Sequence, residues 1–448
     1  MAIITSLFPK YLADFSVIVR RYTELINEKK FEEALLYKEM LTPEFSADLS
    51  WGSNVLNTSI VAADVVSMDS PLPLKKRSSI TRATGSIPKI GMKMRKGEKD
   101  ISDIQVMEAR GALSAEVARK LVDDVNKCLK GVLVRNEILF QQALSTGLCV
   151  VDSDTNTGVG IRVDFNYLDS NKLNATIGWK YANATPISDL RKVFDAANEA
   201  GRSFGVVMMS KKYFDYMKNS AEGKELNASH NKILVAAVAS LPTPSQSGML
   251  EALRDEFDCE FRIVNSTFRV EINGTQTSVR PWKESNIAFL PSTKIGRLVY
   301  GMLAEESNPV AGVTYEKSAD GILVAKFAHN EPLEEMTTAQ ALSLPVIDGV
   351  EDIYLLQAGG ILANPDELEF TSAADTTGKT VAIATDADEI SSVSVPTNGS
   401  WATVTFSGKN VLVKVSANTA SGATKRETTV TVTDSYGNVC TIPVTQNA

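Results

Sequence analysis

One helical pattern constrains this chain more than any other feature. Between Ser114 and Gly147 an apolar residue recurs every three or four positions, and the shared face comprises Val117, Leu121, Val125, Leu129 and Val132. Ser114 is a suitable N-cap and Gly147 a suitable C-cap. At 1.5 Å per residue the helix is roughly 45 to 50 Å long, well beyond the usual three turns of a helix in a globular domain. The pattern therefore predicts one helix of unusual length.

A basic segment precedes this helix. Residues 75–99 contain nine Lys or Arg residues and one Glu. Residues 90–95 alternate between apolar side chains and positions that are charged or glycine, which is the period of a strand with two different faces. Gly85 and Pro88 interrupt the segment. It is typical of a long, basic, extended hairpin.

The middle of the chain mixes strand and helix patterns. Residues 159–167 alternate strictly, as in a half-buried strand. Thr185 and Pro186 indicate the start of a helix that ends at Gly201. Further signals are a strand at residues 204–209, a short helix from Ser210, a hairpin at Asn273-Gly274 and a strand at residues 286–290. We expect α+β structure in this part.

The composition changes after Asn364-Pro365, where Thr, Ser, Val and Ala dominate. Alternating segments occur at residues 380–385, 392–395, 401–406, 411–415 and 428–433. Short strands at this spacing, with turn residues between them, are typical of a small β-sandwich. Residues 366–448 are therefore predicted to form a separate domain.

Length and charge limit the possible functions. A chain of 448 residues exceeds one hydrophobic core, so two to four domains are expected. The net charge of -8 disfavours general coating of nucleic acid, because a polyanion repels the molecule as a whole. The N-terminus has no secretory signal pattern, and no stretch reaches the ~18 apolar residues of a membrane span. We expect a cytosolic protein without a membrane segment.

No motif in the sequence supports catalysis, a metal site or a cofactor. The two histidines, His230 and His329, have no partner at ligand spacing. Residues 152–158 deviate from a calcium loop, and residues 373–380 lack the first glycine of a phosphate-binding loop. The four cysteines are far apart, so we expect reduced, mostly buried thiols at Cys128, Cys149, Cys259 and Cys440.

The order of these predicted elements resembles a known viral fold. An N-terminal arm, a basic hairpin, a long helix and two α+β segments follow one another as in the Hong Kong phage-type capsid fold. The residues are similar to the lambda-type major capsid family over about residues 55–358. The stretches that carry the resemblance are VVSMDSPLPLKKR, NEILFQQALSTG, VDFNY, IGWKYANATPISDLRKVFDAANEAG, KIGRLVYGMLAEE and ALSLPVIDGVEDIYLLQAG.

The resemblance implies a domain organisation. The expected parts are an N-terminal arm (1–60), an extended basic E-loop hairpin (61–100), a spine helix (101–147), a peripheral domain (148–225), an axial domain with return strands (226–365) and the C-terminal domain (366–448). It also implies that the chain is the major capsid protein of a tailed bacteriophage, assembled in the host cytoplasm. Copies would form hexamers and pentamers that close into an icosahedral virion head around DNA, with scaffolding and portal proteins as partners.

The C-terminal domain resembles the BACON-like group of immunoglobulin-fold domains, which are often linked to carbohydrate attachment. The stretches that carry this resemblance are SWATVTFSGKNVLVKVSAN and TTVTVTDSYGNVCTIPVTQ. Trp401 and Tyr436 are therefore candidate glycan contacts, although a buried core position is also typical of a sandwich tryptophan.

The basic hairpin has two interpretations. Its side chains either contact nucleic acid or lie against acidic parts of adjacent subunits, and the resemblance favours inter-subunit contact. The residues assigned to that contact are Lys75, Lys76, Arg77, Arg82, Lys89, Lys93 and Arg95. The alternative functions are another virion protein, such as a tail component, or a carbohydrate-binding adhesin.

Overall fold

The computed structural model describes most of the chain. The described residues are 3–4, 6–8, 19, 35–52, 83–110, 114–151, 160–233, 241–272, 274–318, 320–365, 367–385, 387–419, 425–435 and 438–447. Most of the predicted N-terminal arm and the calcium-loop-like residues 152–158 lie outside these ranges.

Helices and strands alternate along the described residues. The helices are α1 (Leu36–Met40), α2 (Glu98–Ala109), α3 (Ser114–Thr146), α4 (Pro186–Glu199), α5 (Lys211–Asn219), α6 (Ala221–His230), α7 (Gln246–Phe257) and α8 (Ala304–Ser307). The strands are β1 (Ile3–Ile4), β2 (Leu41–Phe45), β3 (Ser50–Gly52), β4 (Thr84–Ser86), β5 (Lys89–Lys96), β6 (Leu148–Val151), β7 (Ile161–Asp164), β8 (Lys172–Asn174), β9 (Val206–Ser210), β10 (Glu260–Val264), β11 (Phe268–Ile272), β12 (Thr275–Val279), β13 (Asn286–Leu290), β14 (Gly296–Gly301), β15 (Thr314–Lys317), β16 (Leu323–Asn330), β17 (Leu333–Ile347), β18 (Tyr354–Gln357), β19 (Ile361–Asn364), β20 (Leu368–Phe370), β21 (Asp375–Thr385), β22 (Ile390–Ser394), β23 (Ala402–Ser407), β24 (Asn410–Val415), β25 (Arg426–Asp434) and β26 (Val439–Gln446). The predicted α+β fold class is confirmed.

The long helix has the predicted limits. Helix α3 runs from Ser114 to Thr146, and Gly147 follows it with a φ of 77°, a left-handed conformation that favours glycine. A side chain at Gly147 would also meet the ring of Tyr167, because a Cβ atom there would lie 2.8 Å from Tyr167 Cγ. Residues 101–147, predicted as one spine segment, contain most of α2 together with all of α3.

The chain divides into two compact units, and the first contains a seven-stranded sheet. Unit 1 comprises residues 1–168, 266–282 and 292–352. Its strand order is β1-β16-β17-β14-β2, with β15 paired to β16 and β5 paired to β17. Helix α3 packs on β17, where the Ser343 hydroxyl donates a buried 3.0 Å hydrogen bond to Asn136 Oδ1. Strands β11 and β12 form the predicted hairpin and pack against α3 at Ile138, while Asn273 of the predicted turn lies outside the described residues.

Unit 2 contains a mixed five-stranded sheet and the C-terminal strands. It comprises residues 169–265, 283–291 and 353–448. The order of the mixed sheet is β10-β9-β13-β18-β8, with β9 and β10 parallel. Every residue of β9 and β13 is buried, which explains why these predicted strands read as continuous apolar runs. Helices α4, α5 and α7 cover a core that includes Trp179, Phe214 and Phe289.

Helix α4 starts where predicted, with Thr185 as the N-cap residue, but another residue supplies the capping hydrogen bonds. Thr185 makes no side-chain capping bond, although Pro186 begins the helix as expected. Instead the carboxylate of Glu222, at the start of α6, accepts hydrogen bonds from the backbone N–H groups of Ile187 (2.8 Å) and Ser188 (3.0 Å). A carboxylate satisfies two N–H groups at once and suits the positive end of the helix, so no capping by Thr185 is needed.

The C-terminal strands form a sandwich of two four-stranded sheets. Their orders are β19-β21-β24-β23 and β20-β26-β25-β22. Alternate side chains from both sheets, among them Val413, Val430 and Ile442, bury one core between them. Strand β19 pairs with β21 although it precedes the predicted domain start at residue 366.

Candidate interaction site

Strand β5 carries the predicted contact residues that the structure describes. Lys89, Lys93 and Arg95 are exposed on it, and it pairs antiparallel with β17 from Lys89 opposite Leu342 to Lys96 opposite Glu335. The structure does not describe Lys75, Lys76, Arg77 and Arg82. The basic strand is therefore part of the main sheet of unit 1, whereas the second arm of the predicted hairpin lies outside the described residues.

Two of these bases already meet carboxylates of the same chain. Lys89 Nζ lies 3.6 Å from Glu305 Oε1, and Arg95 Nη1 lies 3.6 Å from Glu334 Oε2. Both basic side chains are more than half exposed, and such ion pairs each contribute only about 0 to 1 kcal/mol. These weak pairs leave both side chains able to exchange partners when another surface approaches.

A buried group of charges lies behind the strand. Lys96 pairs with Asp124 of α3, and Lys326 Nζ lies 3.2 Å from Glu335 Oε1. Ser6 also donates a hydrogen bond to Glu335, which is only 2% exposed. Burial lowers the pKa of Lys326, while Glu335 favours its charged form. Breaking one partner of such a pair leaves a buried charge, so these contacts fix β5, β16, β17 and α3 in one register.

The margin of the sheet formed by β2 carries acidic and exposed apolar residues. Phe45 at the end of β2 is 54% exposed, and its ring packs on Tyr300 of β14 with centroids 5.7 Å apart. Leu49 and Met302 are exposed nearby, and Leu49 fills the space beside Gly301. We call residues 44–49 together with Tyr300 and Met302 the acidic edge. A contiguous exposed patch of this kind is typical of an interaction surface.

Arg297 holds the acidic edge in place. Its guanidinium donates to Asp348 (2.7 and 3.1 Å), to Glu44 (2.5 Å) and to the carbonyl oxygen of Gly52 (2.7 Å). The hydrogen bonds to Asp348 are the main reason that the pKa of Arg297 is raised. An open cavity of about 300 Å³ lies beside it, lined by residues 44–48, 50–52, 297 and 299. The sequence showed none of these long-range contacts.

Glu137, in the middle of α3, anchors helix α1. Its buried carboxylate accepts a hydrogen bond from the backbone N–H of Tyr37 (3.0 Å) and one from Gln141 Nε2 (2.5 Å). Burial raises the pKa of Glu137 to about 7, although these hydrogen bonds favour the charged form. The link between the start of β2 and the long helix therefore contains a carboxyl group that titrates near neutral pH.

The structure places one of the two candidate glycan contacts. Trp401 is partly buried against the sandwich core, and the Arg426 guanidinium lies over its ring, 4.6 Å from the centroid. Gln446 Oε1 and the Ser416 carbonyl oxygen accept hydrogen bonds from Arg426 and hold it there. Tyr436 lies outside the described residues. One ring face of Trp401 is thus covered, and glycan contact at these residues stays a prediction.

The histidines, the cysteines and the phosphate-loop-like stretch were also considered from the sequence as possible sites. Their contacts in the structure are those of ordinary structural residues. In the described residues no group of His, Cys, Asp and Glu is arranged to hold a metal. His230 Nε2 lies 2.8 Å from Asp255 Oδ2, and the four cysteines are free, with burial raising the pKa of Cys128 to about 12. Gly378, in the phosphate-loop-like stretch, lies in β21 at a bulge that Asp375 stabilises. Among the helices of the described ranges, none combines the length and apolar character of a membrane span.

Comparison with known proteins gives one family. The model of the family described as phage major capsid protein E matches residues 42–317. No curated protein matches the chain at a significant level.

Solved structures that resemble parts of this chain include a prophage capsid protein of Escherichia coli CFT073. It has 12% identity and a TM-score of 0.45, and the match covers 80% of this chain and 99% of that one. A phage-related protein of Bordetella bronchiseptica RB50 has 13% identity and a TM-score of 0.40, over 80% and 98% of the two chains. The capsid asymmetric unit of cyanophage A-1(L) has 12% identity and a TM-score of 0.40, over 71% and 90%.

Proposed function

Because this chain belongs to the phage major capsid protein E family, we propose that its copies form hexamers and pentamers that close into the icosahedral head of a tailed phage. The observation that carries the proposal is the family match over residues 42–317, which includes α3 and the strands β5, β14 and β15 of the unit 1 sheet. The order of the basic strand, the long helix and the two α+β parts agrees with the Hong Kong phage-type capsid fold. The chain is thus a capsid component of the virion.

The charge distribution supports a wall that encloses DNA without holding it tightly. The net charge of -8 repels the phosphate backbone, and Lys89, Arg95 and Lys96 of the basic strand pair with carboxylates of the same chain. Each subunit has a structural role in this proposal, and no catalytic step is expected. Scaffolding and portal proteins are the proposed partners during assembly in the host cytoplasm.

Electron microscopy tests the proposal directly. Purified protein, with and without a co-expressed candidate scaffold, is expected to form closed shells of uniform diameter, with a knob at each subunit position for the C-terminal sandwich. Shells without knobs would support the capsid role and place the sandwich elsewhere. Discrete monomers or open tubes under every condition would contradict the proposal and favour a tail component.

A further inference from the structure

The C-terminal sandwich is joined to the mixed sheet of unit 2 by a very short linker. Ala358 belongs to the core of the mixed sheet, and Ile361 belongs to the core of the sandwich. The step between them covers three residues and therefore at most about 11 Å. The sandwich is thus held close to the mixed sheet, but Gly359 and Gly360 alone would let it tilt, because glycine adopts many backbone conformations.

A braced loop lies on one side of the linker. Loop 175–181 follows β8, which neighbours β18 in the sheet. The carboxylate of Asp189 is 1% exposed and accepts hydrogen bonds from the backbone N–H of Thr176 (3.2 Å) and from its hydroxyl (3.1 Å). It also accepts one from the indole N–H of Trp179 (3.1 Å). A buried carboxylate with three donors holds the loop in one conformation.

The braced loop contacts the sandwich next to the linker. The Tyr181 hydroxyl donates a 3.3 Å hydrogen bond to the carbonyl oxygen of Ala384 in β21. Ala384 is the register partner of Leu362 in β19, the first strand after the linker. One hydrogen bond resists displacement at a single point, so it does not by itself prevent a tilt about that point.

A second contact lies on the other side of the linker. Residues 283–285 precede β13, the other neighbour of β18 in the sheet, and the carbonyl oxygen of the last of them accepts a hydrogen bond from the Ala358 N–H (2.8 Å). The partly buried side chain of Lys283 lies close enough to Asp434 and Asp388 of the sandwich for both carboxylates to favour its charged form. Burial acts in the opposite direction and lowers the pKa of Lys283. The sandwich thus supplies part of the compensation for burying this charge.

Asp434 is fixed in a position to receive this lysine. It is 1% exposed at the end of β25. It accepts hydrogen bonds from the Thr385 hydroxyl and from the backbone N–H (2.9 Å) and side-chain amide (3.0 Å) of Asn438. Thr385 is adjacent to Ala384, so both contacts with the mixed sheet are made by the same end of the sandwich.

We propose that Lys283 is an ionic clasp which, together with Tyr181, holds the sandwich in one orientation on the mixed sheet. Contacts on both sides of a short linker remove the tilt that the glycines alone would allow. Every copy then presents the same opposite end of the sandwich, which is about 27 Å along β25 from Asp434 and carries Arg426 over the ring of Trp401. A domain held in this way loses no orientational freedom when that end meets a partner, whereas a swinging domain must first be ordered.

Distances between spin labels on the unassembled chain test the clasp. The labels are placed at Glu199→Cys in α4 and Thr405→Cys in β23, both exposed positions, and Cys440→Ser removes the native cysteine that is only partly buried. Pulsed electron paramagnetic resonance then measures the distribution of distances between the mixed-sheet part and the sandwich. One narrow distribution is expected while Lys283 is unchanged.

Charge reversals on either side of the clasp are expected to remove that single distance. Lys283→Glu faces Asp388 and Asp434 with a like charge, and Asp388→Lys does the same to Lys283, so each variant is expected to show a broad distribution. Glu369→Lys is the matched control, because Glu369 is exposed in β20 near the opposite end of the sandwich, in register with Thr445. The control is expected to keep the narrow distribution.

The outcomes decide between a fixed and a swinging sandwich. A broad distribution in the labelled chain without further substitution overturns the proposal, and so does a narrow one in both charge-reversed variants. If Lys283→Glu fails to fold because this position is partly buried, Asp388→Lys decides alone, since Asp388 is exposed, and a narrow distribution in it overturns the clasp. None of these measurements needs a shell, so the proposed capsid role stands or falls separately.

Discussion

Glu137 shows how a single buried residue can make the attachment of a segment depend on pH. Its folded pKa of about 7 lies above the ordinary value of 4.5, because burial penalises the charged carboxylate. The folded state therefore binds the proton more tightly than the unfolded state. Stability from this group is complete below pH 4.5 and is lost as the pH rises towards 7.

The variant Glu137→Gln tests this dependence. Between pH 4.5 and pH 7 the unmodified chain is expected to lose roughly 3 kcal/mol of unfolding free energy through this group. Glutamine does not titrate, so the variant is expected to lose most of that slope. Urea unfolding at several pH values measures it, with Glu39→Gln on the exposed side of α1 as the control. An unchanged slope in Glu137→Gln would show that other groups cause the dependence.

Residue-level predictions from the sequence succeeded where the signal was local. Gly147 follows the long helix, and Gly274 lies between the paired strands β11 and β12, because both positions have positive φ values that few residues other than glycine adopt. The pairing of Lys96 with Asp124 and the role of Glu137 were not predictable. A periodic pattern identifies the buried face of a helix, but it gives no distant partner for a polar residue on that face.

Two loops of unit 2 approach closely beside the connection into the sandwich. Residues 358–360 join β18 to β19, and the Ala358 carbonyl oxygen accepts a hydrogen bond from the backbone N–H of Trp179 (2.9 Å). A Cβ atom on Gly178 would lie 2.1 Å from the Gly359 carbonyl oxygen, and one on Gly360 would lie 2.3 Å from Gly178 N. The Tyr181 hydroxyl also donates to the Ala384 carbonyl oxygen (3.3 Å). These contacts fix the sandwich against the loop at residues 175–181.

Gly178→Ala is expected to loosen this connection. The methyl group forces the two loops apart, with a cost of about 1 to 3 kcal/mol for an overpacked site. Limited proteolysis at residues 358–366 and the thermal unfolding curve measure the effect. Gly97→Ala is the matched control, because a Cβ atom there meets nothing within 4 Å. Equal protease resistance in the two variants would contradict the importance of the close approach.

At the level of elements, strands with strict alternation were the most predictable. The five predicted segments of the sandwich correspond to β21–β25 with ends shifted by a few residues. Strands β19, β20 and β26 were not predicted, and the first two have only four and three residues, too few for a periodic pattern to identify a strand. The predicted strand at residues 159–167 is described as β7 only at Ile161–Asp164, while Phe165 and Tyr167 are buried beyond its end.

At the level of the whole molecule, charge distinguishes the two interpretations of the basic strand. If the strand contacts neighbouring subunits, free subunits are expected to bind linear double-stranded DNA more weakly than about 10⁻⁴ M at physiological salt. A gel-shift or fluorescence titration at two salt concentrations measures the affinity, with Lys93→Glu as the comparison. Micromolar binding that falls steeply with salt, and falls further in Lys93→Glu, would favour a nucleic-acid contact instead.

The fold class and the order of the parts followed from the sequence because each rests on local periodicity and composition. The division into two units did not, because residues 266–282 and 292–352 return to the sheet and helix of unit 1 after the chain has built most of the unit 2 sheet. Sequence patterns are read in order along the chain, whereas these strands pair across separations of hundreds of residues.

The close approach of Gly178 to residues 358–360 has a consequence for inheritance. Recombination between genes most easily transfers a domain that is joined to the rest of the protein only by a flexible linker. Here the border involves two loops far apart in the gene, and in one of them a Cβ atom at Gly178 would lie 2.1 Å from the Gly359 carbonyl oxygen of the other. A crossover that brings in a foreign sandwich at residue 361 would also need a compatible loop at residues 175–181. The sandwich and the loop are therefore expected to change together in descent, as one heritable unit.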